Sequence, residues 1–453
     1  MNENEVAAKP VAIALLGAGT VGTQVARLLV EDHDLLSARA GADLQLIGIA
    51  VRDIDAPRDP SIARELLTTD AESLIDRADI VIELIGGIEP PRTYVRRALE
   101  HGASVVTGNK ALLATHGPEL YELAAANDVD LYYEAAVAGA VPVVHGLRES
   151  LQGDRVHSVI GILNGTTNFI LDEMSVKGSS FDQALSLAQE LGYAEADPSA
   201  DVDGFDAGAK IAILASLAFH TRVSLEEVDV QGIRAINTSN IRAAQAAGYE
   251  LKLVARARQA ENGLEVSVGP TLVHRSNPLA AINGSYNAVL IDTESAGRLG
   301  FYGQGAGGAP TASAVLSDVV AAAANKVRGG HAPQELVVGD QPVLNGDEIT
   351  SAWAMKVLAS DAVGVLAQIS QKFAENGLSI ASVMQRSLDV HEELEAGRKI
   401  GPGPGMLFGQ GSNLVNLTIF TYPARRGDVA ATARSLESLD GIRDVSQLLR
   451  VEA

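Results

Sequence analysis

Cysteine is missing from the whole 453-residue chain. Its absence excludes disulfides, thiolate metal sites and any mechanism that passes through a thioester. Basic residues are in deficit, with 35 Lys and Arg against 57 Asp and Glu and a net charge of −22. An acidic surface of that kind argues against nucleic acid or an anionic membrane as partner. It also means that an anionic cofactor has to be held by local donors. The nine histidines are scattered, with no i,i+3 or i,i+4 pair that would suggest metal-ligand spacing. No apolar run approaches the ~18 residues needed to cross a bilayer, and the first ten residues lack a basic and an apolar targeting region. A cytoplasmic protein is expected, with no membrane partner. Repeats of solenoid period are also absent. The length suits roughly three domains of ~150 residues each.

An alternating α/β pattern occupies residues 10–139. A continuous apolar run at 11–16 reads as a parallel strand buried on both faces. It leads into G-A-G-T-V-G, which is Gly17, Ala18, Gly19, Thr20, Val21 and Gly22, and then into a helical pattern. Further strands are expected at 44–51, 80–85, 103–107 and 130–133, with helices at 92–100 and 118–126. This alternation predicts a Rossmann-like doubly wound sheet. A lone G-x-G-x-x-G is weak, but here it follows a buried strand and opens a helix, as dinucleotide binding requires. The first glycine allows the tight turn, the second the approach of the pyrophosphate, and the third close helix packing. After the second strand, Arg52 suits the 2′-phosphate of NADP while Asp53 suits the ribose hydroxyls of NAD. Both signals are present, so NADP and NAD stay open.

Residues 140–305 change to an α+β rhythm and read as a second domain. Strands are expected at 157–163, 251–259, 264–268 and 288–293, with helices at 168–175, 181–191 and 204–219. A helix over about 306–330 then returns to complete the first domain. Residues 333–348 read as a polar linker. From 351 to 453 the order is strand, helix, strand, strand, helix, strand, the βαββαβ of a ferredoxin-like fold. Its middle strands are separated by a Gly/Pro-rich stretch at 391–412 that reads as a mobile loop.

Asp206 and Lys210 stand four apart at the start of the apolar 204–219 helix, so one face presents a carboxylate and an amine together. Such a pair is ordinarily an exposed ion pair worth ~0.3–0.5 kcal/mol. The rest of the chain overturns that reading. Glu195, Asp201 and Asp203 crowd the preceding loop, and an amine beside acids fits a proton-transfer site for a charged substrate. Lys110 follows the fourth parallel strand, where ligands gather. N-G-T-T-N at 164–168 fits either a carboxylate-holding cluster or a plain helix cap. An ammonium so placed can stabilise negative charge that develops on a reacting oxygen and then protonate it. Two lysines in one cleft are expected to lower each other's pKa.

These motifs, with E-L-I-G-G (83–87), V-V-T-G-N-K (105–110), Y-E-A-A-V-A-G-A-V-P (133–142), L-G-Y-A-E-A-D-P (191–198) and G-A-G-G-A-P-T-A (305–312), resemble the homoserine dehydrogenases over nearly the whole length. The C-terminal region resembles an ACT domain through D-A-V-G-V-L-A (361–367) and E-N-G-L-S-I (375–380). The resemblance implies the single-function form and a reversible, NADP- or NAD-dependent interconversion of L-aspartate 4-semialdehyde and L-homoserine. It implies Lys210 as acid/base with Lys110 beside the reacting centre. It further implies Glu195, Asp206 and Asp201 on the substrate, and Gly192 and Gly305 along the cofactor. A monovalent cation, usually sodium, is implied near Glu134, Val137, Gly139 and Val141. A homodimer or homotetramer that pairs through 140–305 as the substrate-binding and dimerisation domain, with threonine or another amino acid as effector between paired C-terminal domains, is the family expectation. Departures are few: Gly108 for alanine, Ala140 for glycine, and T-Y-P (421–423) for a common T-H-P. The alternatives are an oxidoreductase for a different amino or hydroxy acid, and a non-catalytic amino-acid sensor.

Overall fold

The computed structural model describes residues 10–335, 339, 341–387 and 414–453. The N-terminal nine residues and the Gly/Pro-rich stretch lie outside the described residues. The first region alternates β1 (Pro10–Leu16), α1 (Thr20–Glu31), α2 (His33–Ala40), β2 (Asp43–Ala50), β3 (Leu67–Thr68), α3 (Ala71–Ile75), β4 (Ile80–Glu83), α4 (Pro91–Glu100), β5 (Ser104–Thr107), α5 (Lys110–Ala126) and β6 (Leu131–Tyr132). All six strands are parallel, in the order β3-β2-β1-β4-β5-β6. The order reverses between β1 and β4, and a doubly wound sheet binds its ligand at that reversal. Ile13, Leu15, Ile80, Ile82, Val105 and Val106 are all fully buried, as strands covered by helices on both faces must be.

Helix α5 starts at Lys110, eight residues before the proline at which the sequence pattern begins it. Asn109 caps it by accepting from the Leu112 N–H at 3.1 Å. Proline ordinarily ends a helix, yet Pro118 lies inside this one, held by the buried Leu112, Leu113 and Leu120.

The second region contains α6 (Val143–His145), β7 (Val156–Ile162), α7 (Gly165–Lys177), α8 (Phe181–Glu190), α9 (Ser199–Val202), α10 (Phe205–Phe219), β8 (Asp229–Val230), α11 (Thr238–Ala246), β9 (Tyr249–Ala260), β10 (Gly263–His274), β11 (Tyr286–Thr293) and β12 (Arg298–Gln304). Beyond Asp206 and Lys210, helix α10 is apolar on nearly every side and almost wholly buried, as a helix with that pattern must be. Helix α12 (Gly308–Arg328) returns to pack on α1 and α2 of the first region.

The last region runs β13 (Thr350–Ser360), α13 (Val365–Glu375), β14 (Ile380–Ser387), β15 (Leu414–Thr421), β16 (Ala424–Arg425), α14 (Arg426–Leu436) and β17 (Ile442–Glu452). Its sheet order β17-β13-β15-β14 is ferredoxin-like, as the sequence order predicts. The sheet is not separate, however. Thr271, Leu272 and Val273 of β10 pair in parallel with Arg450, Val451 and Glu452 of β17, which joins both regions into one eleven-stranded sheet. The polar linker also lies against β10, because Leu264 donates to Pro342 O at 2.9 Å and accepts from Leu344 N at 2.8 Å. No helix among the described residues is long and apolar enough to cross a membrane.

Candidate active site

Three loops meet at the carboxyl ends of β1, β4 and β5. In the first, Gly17 has φ +101°, and a Cβ there would lie 2.8 Å from Leu84 O of the second loop. A Cβ on Gly22 would lie 2.2 Å from Gly17 O, whereas one on Gly19 would meet nothing within 4 Å. Gly17 and Gly22 are thus fixed by packing, and Gly19 leaves the backbone open beside the free N–H groups at the start of α1. Helix α12 begins alongside, since a Cβ on Gly308 would sit 3.1 Å from Thr20 O.

The second and third loops are tied by a carboxylate. Glu83 is fully buried and accepts from the N–H groups of Ile85 (2.7 Å) and Gly86 (3.2 Å) and from Thr107 Oγ1 (2.7 Å). Thr107 Oγ1 in turn accepts from Asn109 N at 3.0 Å, and Asn109 donates to Gly87 O at 2.7 Å. This chain of bonds fixes where α5 starts, and so where Lys110 stands.

Lys110 meets the second region at Asp206. Its Nζ is 3.1 Å from Asp206 Oδ1, while Lys210 Nζ donates to Asp206 Oδ2 at 2.6 Å and to Leu163 O at 2.8 Å. Asn164 also donates to Asp206 Oδ2 (2.9 Å) and to Asp201 Oδ1 (2.6 Å). The same Asn164 caps α7 by accepting from Thr167 N at 2.8 Å, so it is both a helix cap and a clamp on carboxylates. Burial disfavours charge on Asp206, but Lys210 and Lys110 outweigh it and hold the carboxyl well below its ordinary range. Asp201, with no ammonium so close, is pushed up by burial. Lys110 is held above its ordinary value by Asp206, which corrects the expectation that two lysines here lower each other. Glu195 is exposed, and its charge also acts on Lys110.

Leu163 O has a second donor, Asn287 Nδ2 at 3.1 Å. Asn287 is fully buried, and a Cβ on Gly305 would lie 2.1 Å from its Cγ. A Cβ on Gly139 would in turn lie 2.6 Å from Gly305 C. Lys210, Leu163, Asn287, Gly305 and Gly139 therefore form one packed row. Neither Asn287 nor the buried Glu83 stands out in the sequence as a supporting residue. Gly192 sits in the turn after α8, donating to Gln189 O at 3.1 Å, and Thr166 Oγ1 holds the next carbonyl, Tyr193 O, at 2.6 Å.

Around residue 134 the backbone turns sharply, with φ +57° at Ala138 and +59° at Gly139. The Glu134 carbonyl accepts from Val137 N and the Val141 carbonyl from Val143 N. The Glu134 carboxylate holds the N–H groups of Val144 (3.0 Å) and His145 (2.7 Å), and burial pushes it up to about 7. Asp318, hydrogen-bonded at 2.7 Å, raises His145 to about 9. Arg52 is exposed at the rim. Arg58 reaches further in, donating to Asp53 O at 2.7 Å and lying 3.5 Å from Ala18 O of the glycine loop. A separate cavity of about 360 Å³ runs along later turns of α5 and α10, lined by Leu113, Tyr121, Ile213 and Leu217, and contains neither lysine.

The homoserine dehydrogenase family model matches residues 142–320, and its NAD-binding domain model matches residues 17–134. A homoserine dehydrogenase of Corynebacterium glutamicum is 47% identical, with 98% of this chain and 96% of that protein covered. The chain belongs to the homoserine dehydrogenase family. Its activity is that of such a dehydrogenase, an NAD(P)-dependent oxidoreductase. The crystal structure of a homoserine dehydrogenase from Thiobacillus denitrificans matches with a TM-score of 0.88 at 35% identity, covering 98% of each chain. A hyperthermophilic archaeal homoserine dehydrogenase in complex with NADPH matches with a TM-score of 0.60 at 30% identity, covering 69% of this chain and 97% of that one.

Proposed function

We propose that the chain interconverts L-aspartate 4-semialdehyde and L-homoserine with Lys210 as the acid/base. The observation that carries this reading is the convergence of Lys110 and Lys210, from different regions, on Asp206 beside the glycine loop. A lysine ammonium has three donors. Lys210 commits two, to Leu163 O and Asp206, which leaves one for a substrate oxygen. In the reducing direction that ammonium stabilises the developing alkoxide and gives it a proton. Asp206 remains ionised throughout, balancing Lys110 while Lys210 is neutral. Lys110 adds a second positive charge at the reacting oxygen, and Glu195 and Asp201 take the substrate ammonium.

The nicotinamide coenzyme supplies or accepts the hydride when bound. The residues fit it: Gly17, Ala18, Gly19, Thr20, Val21 and Gly22 form a tight loop that stays open at Gly19, where a Cβ would meet nothing within 4 Å, and Gly192, Gly305 and Lys110 border it. NADP is favoured over NAD. The NADPH held by the archaeal relative supports this, as does the reach of Arg58, with Arg52 at the rim. A monovalent cation, sodium by preference, is assigned to the carbonyls of Glu134, Val137, Gly139 and Val141. Main-chain oxygens in a sharp turn are hard donors suited to such an ion.

The family's other habits are proposed on narrower support. Tyr286 and Tyr302 stack at 5.1 Å on the exposed face of the edge hairpin β11–β12, which favours pairing of two copies through the second region. The 351–453 region is assigned as an ACT-like regulatory domain on its ferredoxin-like order, with threonine as the first effector to try and the cytoplasm as its location.

The test is homoserine oxidation followed by coenzyme absorbance, with NAD and NADP compared. Lys210→Ala is expected to lose ~10²–10⁴-fold in turnover while still binding coenzyme. Near-normal turnover in that variant would overturn the assignment.

A further inference from the structure

Where β10 meets β17, four arginines gather with the carboxylates of Asp229, Glu265, Asp347 and Glu452, and among the described residues Arg450 alone of the four makes no ion pair. Arg426 pairs with Asp229 at 2.5 Å, Arg258 with Glu265 at 2.7 Å, and Arg256 with Glu452 at 3.6 Å. Arg450 is 6% exposed, and its Nε and Nη1 have no hydrogen-bond partner among the described residues. A buried guanidinium with unmatched donors is costly, since both its charge and its N–H groups are taken out of water. Burial draws its pKa down to about 10, with Arg256 adding repulsion.

Arg450 also lines a cavity of about 290 Å³ together with the polar Asp229, Gln231 and Arg426 and the apolar Pro270, Trp353 and Leu448. The guanidinium lies 5.9 Å from the centre of the Trp353 ring. The wall is therefore mixed, and of its charged groups Asp229 and Arg426 satisfy each other while Arg450 has no ion-pair partner among the described residues. Unmatched guanidinium donors call for an anionic oxygen to accept from them. A dianion such as phosphate would bring two negative charges beside Asp229, whereas a planar carboxylate brings one and matches the guanidinium in shape.

We propose that this cavity is a binding site for a small monocarboxylate, its charged end on Arg450 and its short apolar body against Trp353, Pro270 and Leu448. Because Arg450 is also a rung of the strand pairing between β10 and β17, an occupant ties the two halves of the long sheet together. The site lies within one chain and is independent of the catalytic assignment.

Trp353 is the sole tryptophan, so intrinsic fluorescence of the full-length protein reports on this cavity directly. The probes are isobutyrate, L-valine and the neutral isostere isobutyramide. The expected result is a saturable change with isobutyrate, L-valine or both, at a Kd of about 1 mM or tighter, and none with isobutyramide. The stronger of the two carboxylates tells whether a simple acid or an amino acid is preferred. Arg450→Met is expected to weaken binding at least ~30-fold. Ala430→Phe, which fills the cavity and leaves Arg450 in place, is expected to do the same and decides the matter if Arg450→Met does not fold. Silence with both carboxylates, an equal response to isobutyramide, or binding unchanged in the folded variants would each overturn the proposal.

Discussion

Lys110 and Lys210 are held together by one buried counter-ion, at 3.1 Å and 2.6 Å from the two oxygens of Asp206. Each lysine comes from a different part of the chain, so the carboxylate also fixes how the two regions meet. Asp206 spends one oxygen on each ammonium, so both lysines face the same point, which suits an oxygen that gains negative charge during reaction.

Asp206→Asn removes that anion and leaves two ammoniums facing each other. Breaking a buried pair in this way is expected to cost about 3–5 kcal/mol of stability at neutral pH. The pH dependence follows from the depressed carboxyl pKa: its contribution is present above the unfolded value of about 4 and is lost as pH falls through that region and below. Denaturant midpoints measured from pH 7 down to about 3 should therefore fall more steeply for the wild type than for the variant. Parallel curves would contradict the role given to Asp206.

Gly305→Ala places a methyl group 2.1 Å from Asn287 Cγ. Asn287 has to move, and Leu163 O loses the donor that holds it against Lys210. We expect about 1–3 kcal/mol of destabilisation and a fall in kcat of ~10-fold or more with the misplaced lysine. Thermal melting and steady-state kinetics check the two halves separately.

Arg58→Gln tests coenzyme choice. Arg58 is the arginine that reaches the glycine loop, and its loss should lower the NADP-over-NAD ratio of kcat/KM by ~10-fold or more, at about 1.4 kcal/mol per decade. Arg52→Gln, at the exposed rim, should have the smaller effect. The reverse ranking would return the 2′-phosphate to Arg52.

Replacing sodium with tetramethylammonium at constant ionic strength tests the carbonyl site. The bulky ion cannot enter the turn at Ala138 and Gly139, so the melting temperature is expected to drop, with recovery when sodium is restored. No change in melting would remove the cation from the assignment.

The glycine loop is legible in the sequence because its requirements are local: a buried strand before it, a helix after it, and three residues without side chains. The pairing of Asp206 with Lys210 is legible for the same reason, as helical spacing alone puts them on one face. Glu83 is not. It becomes a ligand for Thr107 only because β4 and β5 pair in a register that sets these two residues side by side, and register between distant strands leaves no local mark. Asn287 is hidden in the same way, a single polar residue in an apolar strand whose partners lie at Leu163 and Gly305. The direction of the Lys110 shift escaped because helical spacing shows that Asp206 is near Lys210, not that its other oxygen faces Lys110. The six-stranded order and the ferredoxin-like order follow from the alternation of elements. The join between β10 and β17 does not, since nothing in either strand announces the other.

That join has a consequence for any shortened form of the protein. A chain cut ahead of β13 would strip Thr271, Leu272 and Val273 of their neighbour and present a short row of bare amides and carbonyls to the solvent. Such a margin is sticky towards other chains, so the terminal fold also serves as a hem that keeps the rest of the molecule from fraying into aggregates.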